Sequence, residues 1–205
     1  EEQAQTIEAS DADVVMLQEV DTGRPTSYMI DNALWLARRL DMEVVYQPTV
    51  EHLTGIALLS RYPVADREGL LLPSELEQTA ILRTKLDTGS TPVNAFATWL
   101  GLSAEERARQ LDAALPFLAA EPGPAVFGGD LNSDPESAIY QRIAGAGLVD
   151  AFEVLGLGSP PTDPAVGPSK RIDFVWLRDL RPLDGQVLDS VASDHRLVVV
   201  EAALP

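Results

Sequence analysis

Four short segments set polar, chemistry-bearing groups against apolar runs. Glu19 closes VVMLQE, Asp130 and Asn132 follow AVFGG, Asp173 lies inside RIDFVWL, and Asp194 and His195 stand immediately before RLVVV. A carboxylate beside an apolar run is costly to bury unless it is paired or bound to a metal. If each run is a strand, these groups stand at a sheet edge, where separate strand ends can converge on one cleft. Each also has a structural reading. Glu19 can be a solvated strand end. Asp130 with Asn132 can form a turn, and Asp194 can be a turn or cap residue beside a core histidine. Asp173 can pair with Lys170 or Arg171. Four independent accidents do not explain why all the segments occur in one order with such specific neighbours.

The elements that must position these groups are legible in outline. Residues 1–10 resemble the end of a helix. Residues 13–19, 43–47, 55–60, 79–86, 93–100, 124–129, 172–177 and 197–202 are expected strands. In 79–86, Ile81, Arg83 and Lys85 alternate with Ala80, Leu82, Thr84 and Leu86, a half-buried pattern. Residues 31–40 carry an apolar face of Leu34, Leu36, Ala37 and Leu40, and are expected as a helix. Ser103 and Glu106 form a capping box that opens a helix to about Ala120. Asp134 is expected to cap another, with Pro135 at its first position. The Pro- and Gly-rich stretch 156–168 is a long surface loop near the site rim. Strands outnumber helices and several follow one another directly. The fold class is therefore α+β, with mixed sheets and helices outside, in a single domain over residues 1–205.

The chain has no cysteine, which excludes disulfides, thiolate zinc sites and cysteine nucleophiles and leaves the redox compartment open. No apolar run is long enough to span a bilayer. Glu1, Glu2 and Gln3 are the opposite of a signal peptide's positive start. A cytoplasmic location, or export or membrane tethering through a segment upstream of Glu1, is compatible with this. The net charge of -17 disfavours broad nucleic-acid binding. It does not exclude a phosphate substrate, because divalent cations reverse the local sign at a carboxylate cluster.

DVVMLQEV, GIALLSRYPV, GGDLNSDP, RIDFVWL and SDHRLV, in this order, resemble the successive signatures of the endonuclease/exonuclease/phosphatase superfamily. Its members include deoxyribonuclease I, apurinic endonucleases, neutral sphingomyelinases and inositol polyphosphate 5-phosphatases. The resemblance runs from about Asp13 to the C-terminus. It implies a four-layer α/β/β/α sandwich of two mixed sheets, and a phosphodiester or phosphomonoester hydrolase in which water attacks phosphorus in line. It implies Mg²⁺ or Mn²⁺ at Glu19. Asp130 would orient or deprotonate the water. Asn132 would hold a phosphate oxygen or that water, and His195 would bind the scissile phosphate. Asp194 would orient His195 or join the metal site, and Asp173 would support the site from the second sheet. The acidic balance favours a small or lipid-linked phosphoester over nucleic acid, with a nuclease as an alternative. GLSAEERARQ is similar to the lipid-anchor remodelling members, which points to an upstream membrane segment. The sequence sets no oligomeric state.

Two departures from the pattern carry consequences. Residues 1–10 match only the helix that follows the family's usual first strand. That strand either lies outside this chain or is supplied differently. Its lack would leave exposed ladder groups and a hole in the sheet. Second, a Thr-His-Leu pattern is replaced by Thr98-Trp99-Leu100. Trp99 can line the substrate site or pack at the cleft wall, but it cannot shuttle a proton. These departures support an alternative in which the chain is a binding or scaffold domain with impaired turnover. Among the remaining polar residues, His52 reads as a surface histidine, Arg61 and Tyr62 as structural, Lys170 and Arg171 as a solvated pair and Arg38–Arg39 as a solvent-facing helix stretch.

Overall fold

Runs such as Thr54–Ser60 and Val93–Trp99 are buried at every residue, so each must be covered on both faces. The computed structural model, which describes residues 1–204, supplies that cover in layers. In chain order the elements are α1 (Glu2–Ser10), β1 (Val14–Asp21), α2 (Asn32–Leu40), β2 (Glu43–Pro48), β3 (Thr54–Ser60), β4 (Val64–Leu71), β5 (Ala80–Leu86), β6 (Val93–Trp99), α3 (Ala104–Ala119), β7 (Ala125–Asp130), α4 (Ala138–Gly145), β8 (Val149–Asp150), α5 (Ala151–Leu155), β9 (Asp173–Arg178), β10 (Arg181–Val187) and β11 (Val198–Ala203).

One sheet has six strands in the order β4-β5-β6-β7-β9-β8 and is mixed, with β6 and β7 parallel. Against one of its faces pack α3 and α4, through Phe96, Leu111, Leu118, Phe127, Ile143 and Trp176. Its other face meets β2 and β3 through Val45, Ile56, Leu58, Leu82, Ala97 and Trp99. Beyond those strands, α1 and α2 bury Ile7, Leu36 and Ala37 against Val15 and Leu59. The expected four layers are therefore present.

The second sheet layer differs from expectation. It is not one mixed sheet but two antiparallel pieces, β1-β3-β2 and the hairpin β10-β11. β1 and β2 share a direction, but β3 inserts between them and pairs antiparallel to both. Between β1 and β11 lies a trench of about 860 Å³, floored by Val126 and Val175 and roofed by Ile7 of α1. A residue in a packed sheet fills roughly 160 Å³, from strand rise, strand spacing and sheet separation. The trench therefore has the size of one short strand, and it lies where the hole was expected.

Local chemistry also departs from expectation in places. Pro135 opens a turn closed by Ser137 N–H on the Asp134 carbonyl, and Ser137, not Asp134, caps α4 by accepting from Tyr140 N–H. Ser103 caps α3 as expected, but the Glu106 carboxylate does not fold back onto it. It accepts the Glu75 N–H at 2.8 Å and ties down the loop before β5. β4 and β10 were hidden by their composition. Asp66, Arg67 and Glu68 interrupt one, and Pro182 and Gly185 interrupt the other. Both tolerate this because they lie at sheet edges.

Arg171 is a further correction. It is not a solvated loop residue. Its guanidinium is buried, donates to Asp150 at 2.7 Å and lies over the Phe152 and Phe174 rings. Asp150 also caps α5 through Phe152 N–H and accepts the Tyr140 hydroxyl. Asp150→Ala strands a buried guanidinium. The expected loss is about 3–5 kcal/mol of unfolding free energy, measured as a lower midpoint in urea denaturation.

Candidate functional site

The site is assembled from strand ends. β7 ends at Asp130, which is in register with Trp99 of parallel β6 and with Asp173 at the start of antiparallel β9. Residues opposite one another in an antiparallel pair have their Cβ atoms about 5 Å apart. This register sets two carboxylates side by side. Asp130 is buried, and its pKa is pushed up to about 7, first by burial and then by the Asp173 charge. The Asn132 N–H, donating to Asp130 at 2.8 Å, pulls in the other direction.

Gly129 explains the double glycine before Asp130. Its φ is +137°, and a Cβ there would stand 1.9 Å from the Thr98 carbonyl oxygen. Only glycine lets β7 lie this close to β6 at the site. After Asp130, Asn132 takes a left-handed conformation. Its side-chain amide donates to the Leu100 carbonyl at 2.8 Å and to Asp130 at 3.2 Å. Asn132 thus holds Asp130 and the end of β6 together.

His195 stands in the loop between β10 and β11. Its Nδ1 lies 3.0 Å from Asp173 Oδ2, and its Nε2 lies 3.5 Å from Asp163 Oδ1. The Asp173 hydrogen bond is the chief reason its pKa rises to about 9, with the charges of Asp173, Asp130 and Asp194 adding to it. Orientation of His195 therefore falls to Asp173 and not to Asp194. The Asp194 side chain is exposed and accepts from Ser193 Oγ. Asp194 still acts on the site through its charge, since it raises the pKa of Glu19.

Glu19 reaches the cleft through a bulge. Between Leu17↔Ala57 and Val20↔Gly55, β1 has one residue more than β3, and Glu19 adopts φ +53°. A bulge re-aims a side chain at a strand end. Partial burial against the cleft walls raises the Glu19 pKa, the charges of Glu77 and Asp194 raise it further, and His195 lowers it. Glu19, Asp173 and His195 all face the site end of the trench.

Trp99 is not placed at the cleft surface. It is 5% exposed and packed between the sheets, where it forms an apolar wall beside Asp130. His52 is exposed, as are Arg38 and Arg39, and Arg61 pairs with Asp11 and Asp13. Two site residues escaped sequence reasoning. Glu77 and Asp163 lie in loops beside no apolar run, so only tertiary structure brings them to Glu19 and His195. The loop that carries Asp163 is pinned to the site. The Thr162 hydroxyl accepts from Ile172 N–H and Asp173 N–H, and the Thr162 carbonyl accepts from Arg196 N–H.

Asp130, Asp173 and His195 each bring one ligand atom to within 4.8 Å of the others. Burial raises the Asp130 and Glu19 carboxyls first, and neighbouring negative charges, Asp173 on Asp130 and Glu77 and Asp194 on Glu19, raise them further. Oxygen donors in such a cluster fit a hard divalent cation.

The family model described as Endonuclease/Exonuclease/phosphatase family matches residues 3–195. An endonuclease/exonuclease/phosphatase from Beutenbergia cavernae DSM 12333 superposes with a TM-score of 0.82 at 25% identity, over 98% of this chain. The present chain spans 65% of that protein's length. An endonuclease/exonuclease/phosphatase family protein from Leptotrichia buccalis C-1013-b gives 0.80 at 16% identity, over 98% of this chain and 91% of its own. A mannosyl-6-phosphatase of Bacteroides thetaiotaomicron VPI-5482 gives 0.77 at 17%, over 98% and 89%. The last two establish likeness of fold.

Two outcomes follow from the geometry. Gly129→Ala is expected to cost at least about 2 kcal/mol of stability, because strain at a positive φ adds to a backbone collision; equilibrium denaturation reads it directly. For the metal-free chain, a pH effect is also expected. A histidine whose pKa rises on folding contributes stability that is complete below about 6.5 and is lost as pH passes its folded value of about 9. The Asp130 penalty grows only up to about pH 7. Thermal stability in EDTA should therefore fall from pH 7 to 9, and His195→Asn should flatten that fall.

Proposed function

The chain belongs to the endonuclease/exonuclease/phosphatase family, and on that footing we propose that it is a divalent-metal-dependent hydrolase of a phosphodiester or phosphomonoester. The observation that carries this reading is the meeting of Asp130 and Asp173, at the ends of β7 and β9, with His195 from the β10–β11 loop, and with Glu19 and Asp194 coupled to them by charge.

Asp130 acts as general base. Burial and Asp173 raise its pKa to about 7 in the metal-free site, and a bound cation would keep the carboxyl ionised and able to accept a proton from water at neutral pH. Asn132 fixes its direction through the N–H and amide contacts. His195 is protonated below about pH 9 and held by Asp173, so its Nε2–H can hydrogen-bond a phosphoryl oxygen and stabilise charge as it develops. Water attacks phosphorus in line, its proton passes to Asp130, and the bond to the leaving oxygen breaks. Mg²⁺ or Mn²⁺, held by Glu19 and Asp194 with help from the Asp130 side, would neutralise phosphoryl charge. No covalent enzyme intermediate is needed.

The net charge of -17 favours a small or lipid-linked ester over a nucleic acid. The likeness to a mannosyl-6-phosphatase is compatible with a small substrate. A binding domain without turnover is the second reading. It draws on the position of Trp99, an indole that offers the site no titratable group. Hydrolysis of bis(p-nitrophenyl) phosphate decides between them. With Mg²⁺ or Mn²⁺ the wild type should turn over, and EDTA should abolish this. Asp130→Asn and His195→Ala should each lower kcat/KM at least about a hundredfold. Unchanged rates in both variants would remove these residues from the mechanism, and no metal-dependent turnover would favour the binding domain.

A further inference from the structure

Strand register shows which loops share the site end of the molecule. Ala80 pairs with Trp99, Trp99 with Asp130, and Asp130 with Asp173. The loops 72–79, 100–103 and 156–172 therefore open on the same end as Asp130. Glu19 and His195 add loops 22–31 and 188–197 to that end. The six most exposed large apolar side chains are Tyr28, Leu76, Val166, Leu102, Met29 and Val191, from 88% down to 66%. All six stand on these five loops. Among the described residues, the loops at the opposite end, 87–92, 120–124 and 179–180, carry none of them.

Scattered apolar residues on a surface are ordinary. Their collection around the mouth of one cleft is not, because exposed apolar area clusters where another apolar phase is met. The turn that carries Tyr28 and Met29 is built for projection. Both residues hold positive φ, 56° and 60°, a conformation that opposes side chains of this size. Backbone bonds from Met29 N–H to the Arg24 carbonyl and from Ile30 N–H to the Ser27 carbonyl keep them there.

We propose that this apolar rim docks the protein on a zwitterionic lipid–water interface, with the candidate phosphoesterase site facing the headgroups. The idea rests on the phosphoesterase reading for its purpose but not for its binding. Charge selects the surface. The rim loops also carry Asp31, Glu75, Glu77, Asp163, Asp189 and Asp194 against Arg24, Lys170 and Arg196, with Arg171 buried on Asp150, on a chain of net charge -17. An anionic bilayer or a nucleic acid is repelled by this, whereas the outward cationic group of a zwitterionic lipid is not. The side chains stand on five separate loops around a cleft rather than on one flat patch. Such projections suit a fluid surface, into which each can insert independently.

Flotation with phosphatidylcholine vesicles tests this on the full chain. The wild type should float with the vesicles. The exposed triple variant Tyr28→Ser, Leu76→Ser and Val166→Ser should bind at least about tenfold more weakly, because less apolar area enters the interface. Its melting temperature and its hydrolysis of soluble bis(p-nitrophenyl) phosphate should stay unchanged. His195→Ala should still float, which separates docking from turnover. A wild type that stays in solution overturns the proposal and assigns the rim to a protein partner. Equal flotation of the triple variant, or stronger binding to phosphatidylglycerol than to phosphatidylcholine, overturns it as well. Lack of turnover on the soluble ester with flotation intact defeats the phosphoesterase reading alone.

Discussion

The architecture of the site depends on one unfavourable juxtaposition. The register of β7 on β9 sets Asp130 against Asp173 at the sheltered ends of two inner strands. Like charges directly opposite one another destabilise a sheet. The chain offsets this in two ways that are visible in the bonding. His195 brings a positive charge onto Asp173, and Asn132 donates both its backbone and side-chain N–H groups to Asp130. Burial, and after it the crowding with Asp173, raises the Asp130 pKa into the neutral range, where a carboxylate can take a proton.

The surrounding scaffold holds that arrangement in place. Gly129 allows β6 and β7 to approach beside Asp130, and Glu106 anchors the loop that carries Glu77. Behind Asp173, buried Arg171 fastens the start of β9 to Asp150 and to two phenylalanine rings. Thr162 fixes the loop on which Asp163 approaches the histidine. Rigid supports of this kind are what a charged site requires, since an error of about 1 Å in position costs much of its effect. The trench between β1 and β11 interrupts the layer that bears Glu19 and His195, so this side of the site rests on α1, on the Thr6–Ser190 hydroxyl contact and on the six-stranded floor.

Some parts of the sequence spoke for themselves and others did not. Buried strands such as β3 and β6 carry short apolar stretches, Ile56 to Leu59 and Ala95 to Ala97, whose length suits a strand. Edge strands β4 and β10 were illegible, because solvent on one side lets them hold charges, a proline and a glycine without penalty. Glu19, Asp130, Asn132, Asp173, Asp194 and His195 stood out because each polar group adjoins an apolar run. Glu77 and Asp163 adjoin none. The lysine–arginine pair at 170–171 looked uniform in the chain, yet the two side chains part company: one is exposed and the other lies in an apolar pocket.

The sequence by itself therefore determined most of the strands and helices and the set of polar groups at the strand ends, and its resemblance to a family implied the layers. Burial of apolar side chains is a local pattern with a fixed period, and it can be read along one dimension. Tertiary structure alone decided which carboxylate holds the histidine, where Trp99 points and how Glu19 is turned by a bulge. Those outcomes depend on register and on contacts between distant strands. A shift of one residue in register turns every side chain to the opposite face, and spacing along the chain carries no record of it.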